Sequence, residues 1–358
     1  MSVSFKIQSS TGGYTVDIEN GLFQKILEAE KSSVVIADEW FLPMLTRAGV
    51  SAIAVSASET SKSLDAIPDL IVKLRQANAN RQTKLLALGG GIVQDIVAFT
   101  ASIYMRGVEW AYLPTTVLAM TDSCIGGKSS INVGPYKNIV GTFHPPSSIW
   151  VDPKLALTLT DEQRIGGLIE AAKICYCRSF ATFEEYLGSA AAASMPEEQL
   201  EQIIITSLRA KKWFIEVDEF DRKERLILNF GHTFGHAIEG ASHFQIAHGI
   251  GVAIGILCAV ELGSHLGRSY ESASNLQSLT GHLRSLLSSV PGLAGELTAL
   301  SPEDILDRFR ADKKHGAASY NVILVAQSGE VELVKLPKDD KSELGIKGAI
   351  SRTIRTLC

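Results

Sequence analysis

An α/β half followed by a mainly α-helical half is the fold the sequence predicts, and three observations carry it. Over the first 150 residues, short β-branched runs alternate with amphipathic stretches, the pattern of strands and helices in a layered α/β domain. A triglycine, Gly89-Gly90-Gly91, separates an apolar run from a helical pattern. With the apolar run that follows, this gives a strand, turn, helix, strand unit about one βαβ crossover long. Beyond IWVDPKLALTLTDEQ the pattern turns to long helical periodicity, which puts a domain boundary near residue 155 and divides the chain into 1–155 and 156–358.

In order, the expected strands are 34–37, 52–55, 85–88 and 111–114, and the helix opened by the triglycine is GGGIVQDIVAFTASIYMRG. The second half should carry helices over 165–177, 196–215, 225–241, 249–266 and 273–287. GSAAAASMP reads as a loop. YNVILVAQSGEVELVKL alternates apolar and polar residues around Gln-Ser-Gly, the signature of a β-hairpin.

Composition narrows the function classes. The chain has 358 residues, 46% hydrophobic and 20% charged, with 30 Gly and 11 Pro dispersed along it. That excludes collagen, a coiled coil and a disordered tail. A formal net charge of -5 offers no footprint for nucleic acid or an anionic membrane. Five cysteines without a Cys-x-x-Cys pair or an even framework point to a reducing compartment. The N-terminal residues show neither a signal peptide nor an anchor. The most apolar stretch, GIGVAIGILCAVELG, is shorter than the roughly 20 residues of a membrane span and contains Glu261. It reads as a buried helix, and the protein as cytoplasmic.

Three groups of residues carry chemical potential. Glycines opening a helix let a backbone approach a pyrophosphate, although a tight turn without a ligand has the same composition. In PTTVLAMTDSCIGGKSSINVGPYKNIVGTFHPP, Asp122, Lys128, Lys137, Asn138 and His144 interleave with Gly126, Gly127, Gly134 and Gly141. Lysines on glycine turns suit a phosphate or carboxylate, or are simply solvated. Arg106 either joins them or complements the end of its helix. The densest group is RLILNFGHTFGHAIE, with His232 and His236 at i and i+4 and His248 twelve residues beyond His236. Imidazoles one turn apart can bind zinc together. Spacing leaves the carboxylate partner open, with Glu170 attractive because Lys173 follows it by three residues. Arg225 and Asn229 are expected on the same helix as the two histidines, forming a polar stripe that would line a cavity. Lys211, Lys212, Asp218, Glu219, Asp221, Lys313 and Lys314 are either solvated charge or cleft wall.

These motifs together resemble the 3-dehydroquinate synthases and, more broadly, the sugar phosphate cyclases: GGGIVQD, YMRG, the GGKSSINVGPYKN segment, Glu170 with Lys173, NFGHTFGHAIE, His248-Gly249 and ADKK. The resemblance implies an α/β N-terminal nucleotide-binding domain plus a mainly α-helical C-terminal metal-binding domain, a dehydroquinate synthase-like fold with the active site between the two. It implies a homodimer acting on a small sugar phosphate, with NAD and a divalent metal, Zn or Co, as cofactors. The metal ligands it implies are Glu170, His232 and His248, with His236 turned to substrate or phosphate. For NAD it implies Asp38, Glu59 and Lys62, the turn at Gly90 and Gly91 with Asp95, and Thr115, Thr116 and Thr158, beside Lys128 and Lys137. For substrate it implies Asp122, Lys128, Lys137, Asn138, Lys173, Lys211, Arg225, Asn229, His236 and one lysine of Lys313 and Lys314, Lys314 being the choice. Arg106 is implied to reach the phosphate of the neighbouring subunit.

The implied reaction is a phosphate-eliminating cyclisation of 3-deoxy-arabino-heptulosonate 7-phosphate to 3-dehydroquinate. A hydroxyl is transiently oxidised, phosphate leaves, the ketone is reduced again and the opened enol closes by an aldol step. Retention of Lys211, Arg225 and Asn229 favours this carboxylated substrate over sedoheptulose 7-phosphate or an aminated analogue. A polyol phosphate dehydrogenase is a further alternative. The chain departs from the family pattern at Gln94, at Asp221, and at Ile250, where a glutamate is usual.

Overall fold

The computed structural model describes residues 2–134 and 136–358. The chain forms two compact units, Met1–Leu159 with Pro196–Phe220, and Thr160–Met195 with Asp221–Cys358. The sequence division at 155 would give everything beyond it to one domain, whereas 196–220 clusters with the N-terminal residues.

The first unit is built on a sheet ordered β1-β2-β9-β6-β5-β3-β4. Its strands are β1 (Val3–Ile7), β2 (Tyr14–Ile18), β3 (Val34–Asp38), β4 (Ala52–Val55), β5 (Leu85–Gly89), β6 (Trp110–Pro114) and β9 (Ser148–Val151). A separate small hairpin pairs β7 (Ile131–Val133) with β8 (Tyr136–Val140). β1 and β2 pair antiparallel, and every other pairing in the large sheet is parallel. The central strand β5 is buried at every position, as a strand covered on both faces must be. The four expected strands are present, and β1, β2 and β9 join them. Lys6 in β1, Asp17 in β2 and Ser148 in β9 interrupt these three with polar residues, so they lack the continuous apolar runs that mark β5 and β6.

The helices of this unit are α1 (Leu22–Ala29), α2 (Leu42–Arg47), α3 (Ile67–Gln76) and α4 (Gly91–Ile103), completed by α7 (Glu197–Val217). Asp152 ties the layers together, accepting from the backbone N–H groups of Gly21, Phe23 and Lys154 at 3.0, 3.0 and 3.1 Å. α7 packs on β1, on the turn at 119–123 and on the turn at 153–158. Glu216 and Glu219, at its end, accept from the backbone N–H groups of Gln8 and Ser10.

The second unit contains α5 (Asp161–Arg178), α6 (Phe180–Gly188), α8 (His232–Ala241), α9 (His248–His265), α10 (Ser274–Ser288), α11 (Leu293–Thr298), α12 (Pro302–Arg310) and α13 (Asp340–Leu357). The expected hairpin is β10 (Ser319–Val325) with β11 (Val331–Pro337). Its turn closes at Gly329, φ 89°. Thr160 and Gln163 form a reciprocal capping box at the start of α5, satisfying two otherwise orphan donors. α9 is long and apolar enough to cross a membrane by length and composition, but 72% of its apolar window is buried inside the protein, with α5, α8 and α13 packed on it. It is the core helix expected from its sequence.

One expectation fails here. Arg225–Ala241 is not a single helix: Glu224–Asn229 is a 3-10 turn, and α8 begins only at His232. Gly231 breaks the run, with φ 79°, a conformation that L side chains rarely adopt. A Cβ there would lie 2.6 Å from the Val252 carbonyl oxygen. Arg225 and Asn229 therefore do not share a helical stripe with His232 and His236.

Candidate functional site

In the first unit, the chemistry-bearing residues gather at the carboxyl ends of the parallel strands. From β3 the chain moves outward to β4, then returns to the other side of β3 for β5 and β6. Asp38 ends β3 and Gly89 ends β5, so both lie at the point where strand order reverses, the usual ligand crevice of open α/β sheets. Thr115 and Thr116 follow β6. A Cβ on Gly90 would come within 2.8 Å of Thr116 Cγ2, so the triglycine turn and the β6 turn approach too closely for a side chain. α4 starts directly from this turn without a side-chain cap, a helix N-terminus of the kind that receives phosphate. Asp38 accepts from the Trp40 N–H at 3.0 Å. The Thr158 hydroxyl donates to the Leu155 carbonyl at 2.7 Å.

A charged cluster flanks the turn. Lys62 Nζ lies 3.1 Å from Asp95 Oδ2 and donates to Asn138 Oδ1 at 2.8 Å. Glu59 Oε1 is 3.8 Å from Lys62 and 3.4 Å from Lys137, and accepts from Asn132 at 2.8 Å. The structure thus brings Glu59, Lys62, Asp95, Lys137 and Asn138 together. Lys128 places its ammonium 6.0 Å from the Phe143 ring centre. Gln94, whose side chain is 3% exposed, donates to the Ser123 carbonyl and accepts from the Ser123 hydroxyl, both at 2.8 Å. It locks α4 to the turn that carries Asp122.

Burial pushes the Asp95 carboxyl up to about 6 despite Lys62 beside it. The folded protein therefore holds a proton, between about pH 4 and pH 6, that the unfolded chain has released. This group's contribution to stability falls as pH rises through that window and stays unfavourable above it. Asp95→Asn is expected to raise stability near neutral pH by up to ~3 kcal/mol. Urea unfolding across pH should show the gain closing below about pH 4; a gain independent of pH would refute the assignment.

On the same unit, Lys211 Nζ lies 2.5 Å from Asp122 Oδ1 and donates to the Asp122 carbonyl at 2.6 Å. One turn earlier on α7, the Ser207 hydroxyl donates to the Thr121 carbonyl at 2.8 Å. Arg106 is exposed, with φ 72°.

In the second unit, Glu170 of α5 is fully buried, and its Oε1 lies 3.7 Å from His232 Nε2 and 3.5 Å from His248 Nε2. Its other oxygen contacts the ammonium of Lys173, which is 2% exposed. His232 and His248 are each the first residue of a helix, α8 and α9. Their approach to Glu170 depends on glycine: a Cβ on Gly249 would meet the Gly166 carbonyl oxygen of α5 at 2.2 Å. His232, His236 and His248 each offer a donor atom within 4.8 Å of the others. His236 Nδ1 also lies 3.3 Å from Lys314 Nζ and 3.8 Å from Asp312 Oδ2, and Lys314 Nζ is 2.8 Å from Asp312. Arg225 is 4% exposed, and Asn229 donates to the Leu226 carbonyl at 3.0 Å.

Electrostatics separates the three imidazoles. Burial, reinforced by Lys173, holds His232 well below its ordinary value. Burial also lowers His236, although Asp312 opposes it. Burial pulls His248 down too, but the Glu239 and Glu170 carboxylates outweigh it and push it up to about 10. Asp312, despite burial, is held well below the carboxylate range by His236 and Lys314. The donor set of two imidazole nitrogens and one buried carboxylate oxygen fits a divalent metal with an open coordination position. Sequence reasoning missed Glu239 and Asp312. Glu239 lies three residues after His236 on α8, and Asp312 two before Lys314, so helical spacing could have drawn attention to the former.

An α/β unit with a nucleotide-type crevice and a helical unit with a His/carboxylate cage define a class of two-domain fold found among cyclases and dehydrogenases. 2-Deoxy-scyllo-inosose synthase, solved with carbaglucose-6-phosphate, NAD+ and Co2+, superposes with a TM-score of 0.85 at 22% identity, covering 98% of this chain and 100% of that one. 2-epi-5-epi-Valiolone synthase from Streptomyces hygroscopicus subsp. jinggangensis, solved with NAD+ and Zn2+, gives 0.80 at 21% identity, covering 99% of each chain. A probable glycerol dehydrogenase from Sinorhizobium meliloti gives 0.63 at 13%, covering 96% of this chain and 97% of its own. These likenesses concern the fold.

The chain belongs to the 3-dehydroquinate synthase family. The family's N-terminal model matches residues 52–165 and its C-terminal model residues 167–315. The 3-dehydroquinate synthase of Thermoanaerobacter sp. is 34% identical over 301 residues, 82% of each chain. That of Latilactobacillus sakei subsp. sakei is 30% identical over 350 residues, 93% of this chain and 95% of its own.

Proposed function

We propose that the protein is a 3-dehydroquinate synthase, a phosphate-eliminating lyase that converts 3-deoxy-arabino-heptulosonate 7-phosphate to 3-dehydroquinate and phosphate. The observation that carries this reading is the convergence of Glu170, His232 and His248 in a chain of this family. Those three would hold a divalent metal, Zn or Co. Asp38, Glu59, Lys62, Gly90, Gly91, Asp95, Thr115, Thr116 and Thr158, with Lys128 and Lys137, would hold NAD. When bound, the metal supplies Lewis acidity at a substrate oxygen and NAD a reversible hydride acceptor.

The chain's own residues do the rest. Lys173, against Glu170 Oε2, holds that carboxylate with its other oxygen turned toward the imidazoles. Lys128, Lys137 and Asn138 offer donors for a phosphate, whose departing charge such groups stabilise. His236, backed by Asp312 and Lys314, supplies an imidazole that can accept or return a proton. Lys211, Arg225 and Asn229 are assigned to the carboxylate end of the substrate. We assign Arg106 to a neighbouring subunit's phosphate in a homodimer. The buried free thiols Cys124, Cys175, Cys177 and Cys258 accord with a reducing, cytoplasmic setting.

The test is incubation with 3-deoxy-arabino-heptulosonate 7-phosphate, NAD and Zn2+ or Co2+, following phosphate release and identifying the product by mass and NMR. Stoichiometric phosphate with 3-dehydroquinate and no net NADH is expected. Turnover confined to sedoheptulose 7-phosphate or an aminated substrate would replace this reading with a specialised cyclase. Stoichiometric NADH would mark a dehydrogenase.

A further inference from the structure

We infer that Glu239 is the positioning residue that aims His248 at the metal, an inference that rests on the assignment of Glu170, His232 and His248 as ligands. Glu239 Oε1 lies 2.7 Å from His248 Nδ1, and the opposite ring nitrogen, Nε2, is the one facing Glu170 Oε1 at 3.5 Å. A carboxylate on Nδ1 fixes the ring's rotation and makes Nδ1 the donor, which leaves the Nε2 lone pair as the ligand. This carboxylate–imidazole–metal relay is the usual outer support of a ligating histidine, and its loss costs about 10- to 100-fold in metal affinity.

The local architecture is built around this contact. Glu239 is the eighth residue of α8, on the helix that also carries His232. One side chain therefore couples the orientation of the second imidazole to the helix bearing the first. Gly251 makes room for it: a Cβ there would lie 3.2 Å from Glu239 Cγ and 3.6 Å from Oε1. Ile250, two residues after His248, is apolar and 1% exposed, so its side chain offers His248 no oxygen. His232, by contrast, has its Nδ1 3.3 Å from the Phe230 carbonyl oxygen, a partner that no substitution can remove. At Nδ1, His248 meets a carboxylate side chain and His232 a backbone carbonyl oxygen.

The experiment compares the parent with Glu239→Ala and Glu239→Gln in the full chain. Zn2+ affinity is measured by chelator competition, and the visible spectrum of the Co2+ form is recorded. Circular dichroism of the metal-free proteins reports folding. Glu239→Ala should bind Zn2+ about 10- to 100-fold more weakly with an altered Co2+ spectrum. Glu239→Gln, which retains an acceptor, should recover much of the affinity and the parent spectrum. A purely structural role would lower the unfolding temperature of both variants while leaving Zn2+ affinity and the Co2+ spectrum unchanged, and that result overturns the inference. If the parent itself binds no Zn2+, the ligand assignment falls and this inference with it; parent-like binding by Glu239→Ala defeats the inference alone.

Discussion

Glu170→Gln should lose bound metal and turnover together while the protein remains folded. Glu170 Oε1 lies 3.7 Å from His232 Nε2 and 3.5 Å from His248 Nε2, so an amide there removes the negative charge between the imidazoles without emptying the space. Lewis-acid stabilisation is worth several kcal/mol, so turnover should fall about a thousandfold or more. Glu170→Ala goes further: Gln still offers Lys173, 2% exposed, an amide oxygen where the carboxylate stood, whereas Ala leaves that buried ammonium no oxygen there at all. Removing one partner of a buried ion pair costs ~3–5 kcal/mol. Metal content by atomic emission and urea unfolding in chelator separate the two effects. Full metal occupancy in Glu170→Gln would remove Glu170 from the ligand set, and equal chelated stability of the Ala variant and the parent would refute the account of Lys173.

Lys211→Ala should destabilise the first unit as well as impair turnover. Its ammonium is held against the Asp122 carboxylate and carbonyl, and the residue is 7% exposed. The single variant leaves Asp122 without that cation, at a cost of ~3 kcal/mol. Lys211→Met combined with Asp122→Asn should be more stable than the sum of its singles by about 1–3 kcal/mol. A double variant that merely adds would mean that the pair is not coupled. The same variants test substrate reading: if Lys211 contacts the substrate carboxylate, Lys211→Ala should impair carboxylated sugar phosphates more than neutral ones. Equal losses on both would confine Lys211 to its pairing with Asp122.

The central strands, the hairpin and most long helices were legible because each carries its period along its own length. The histidine cluster was legible as a motif but its geometry was not. Spacing alone pairs His232 with His236, whereas the structure also aims His232 and His248 at a glutamate 62 residues before His232. That convergence comes from close backbone packing between helices, as at Gly249 against Gly166, and no local pattern encodes which glycines will meet. The break before His232 was hidden for a related reason. Gly231 sits in an otherwise helical string, and both its left-handed φ and its close approach to the Val252 carbonyl of α9 appear only in the folded chain. Glu239 stands at i+3 from His236, but its partner is His248, nine residues away across a turn, so helical spacing could flag the residue without revealing its contact.

The excursion of the chain has a consequence for the order in which the protein can be made. The first unit closes only with Pro196–Phe220, which a ribosome delivers after Thr160–Met195 of the second unit has already emerged. During synthesis all seven strands of the sheet emerge before α7, and until α7 follows, the side of β1 that it covers stays exposed and Asp122 lacks Lys211. A gene fragment ending near residue 155 would encode the sheet without α7, the helix that completes its unit.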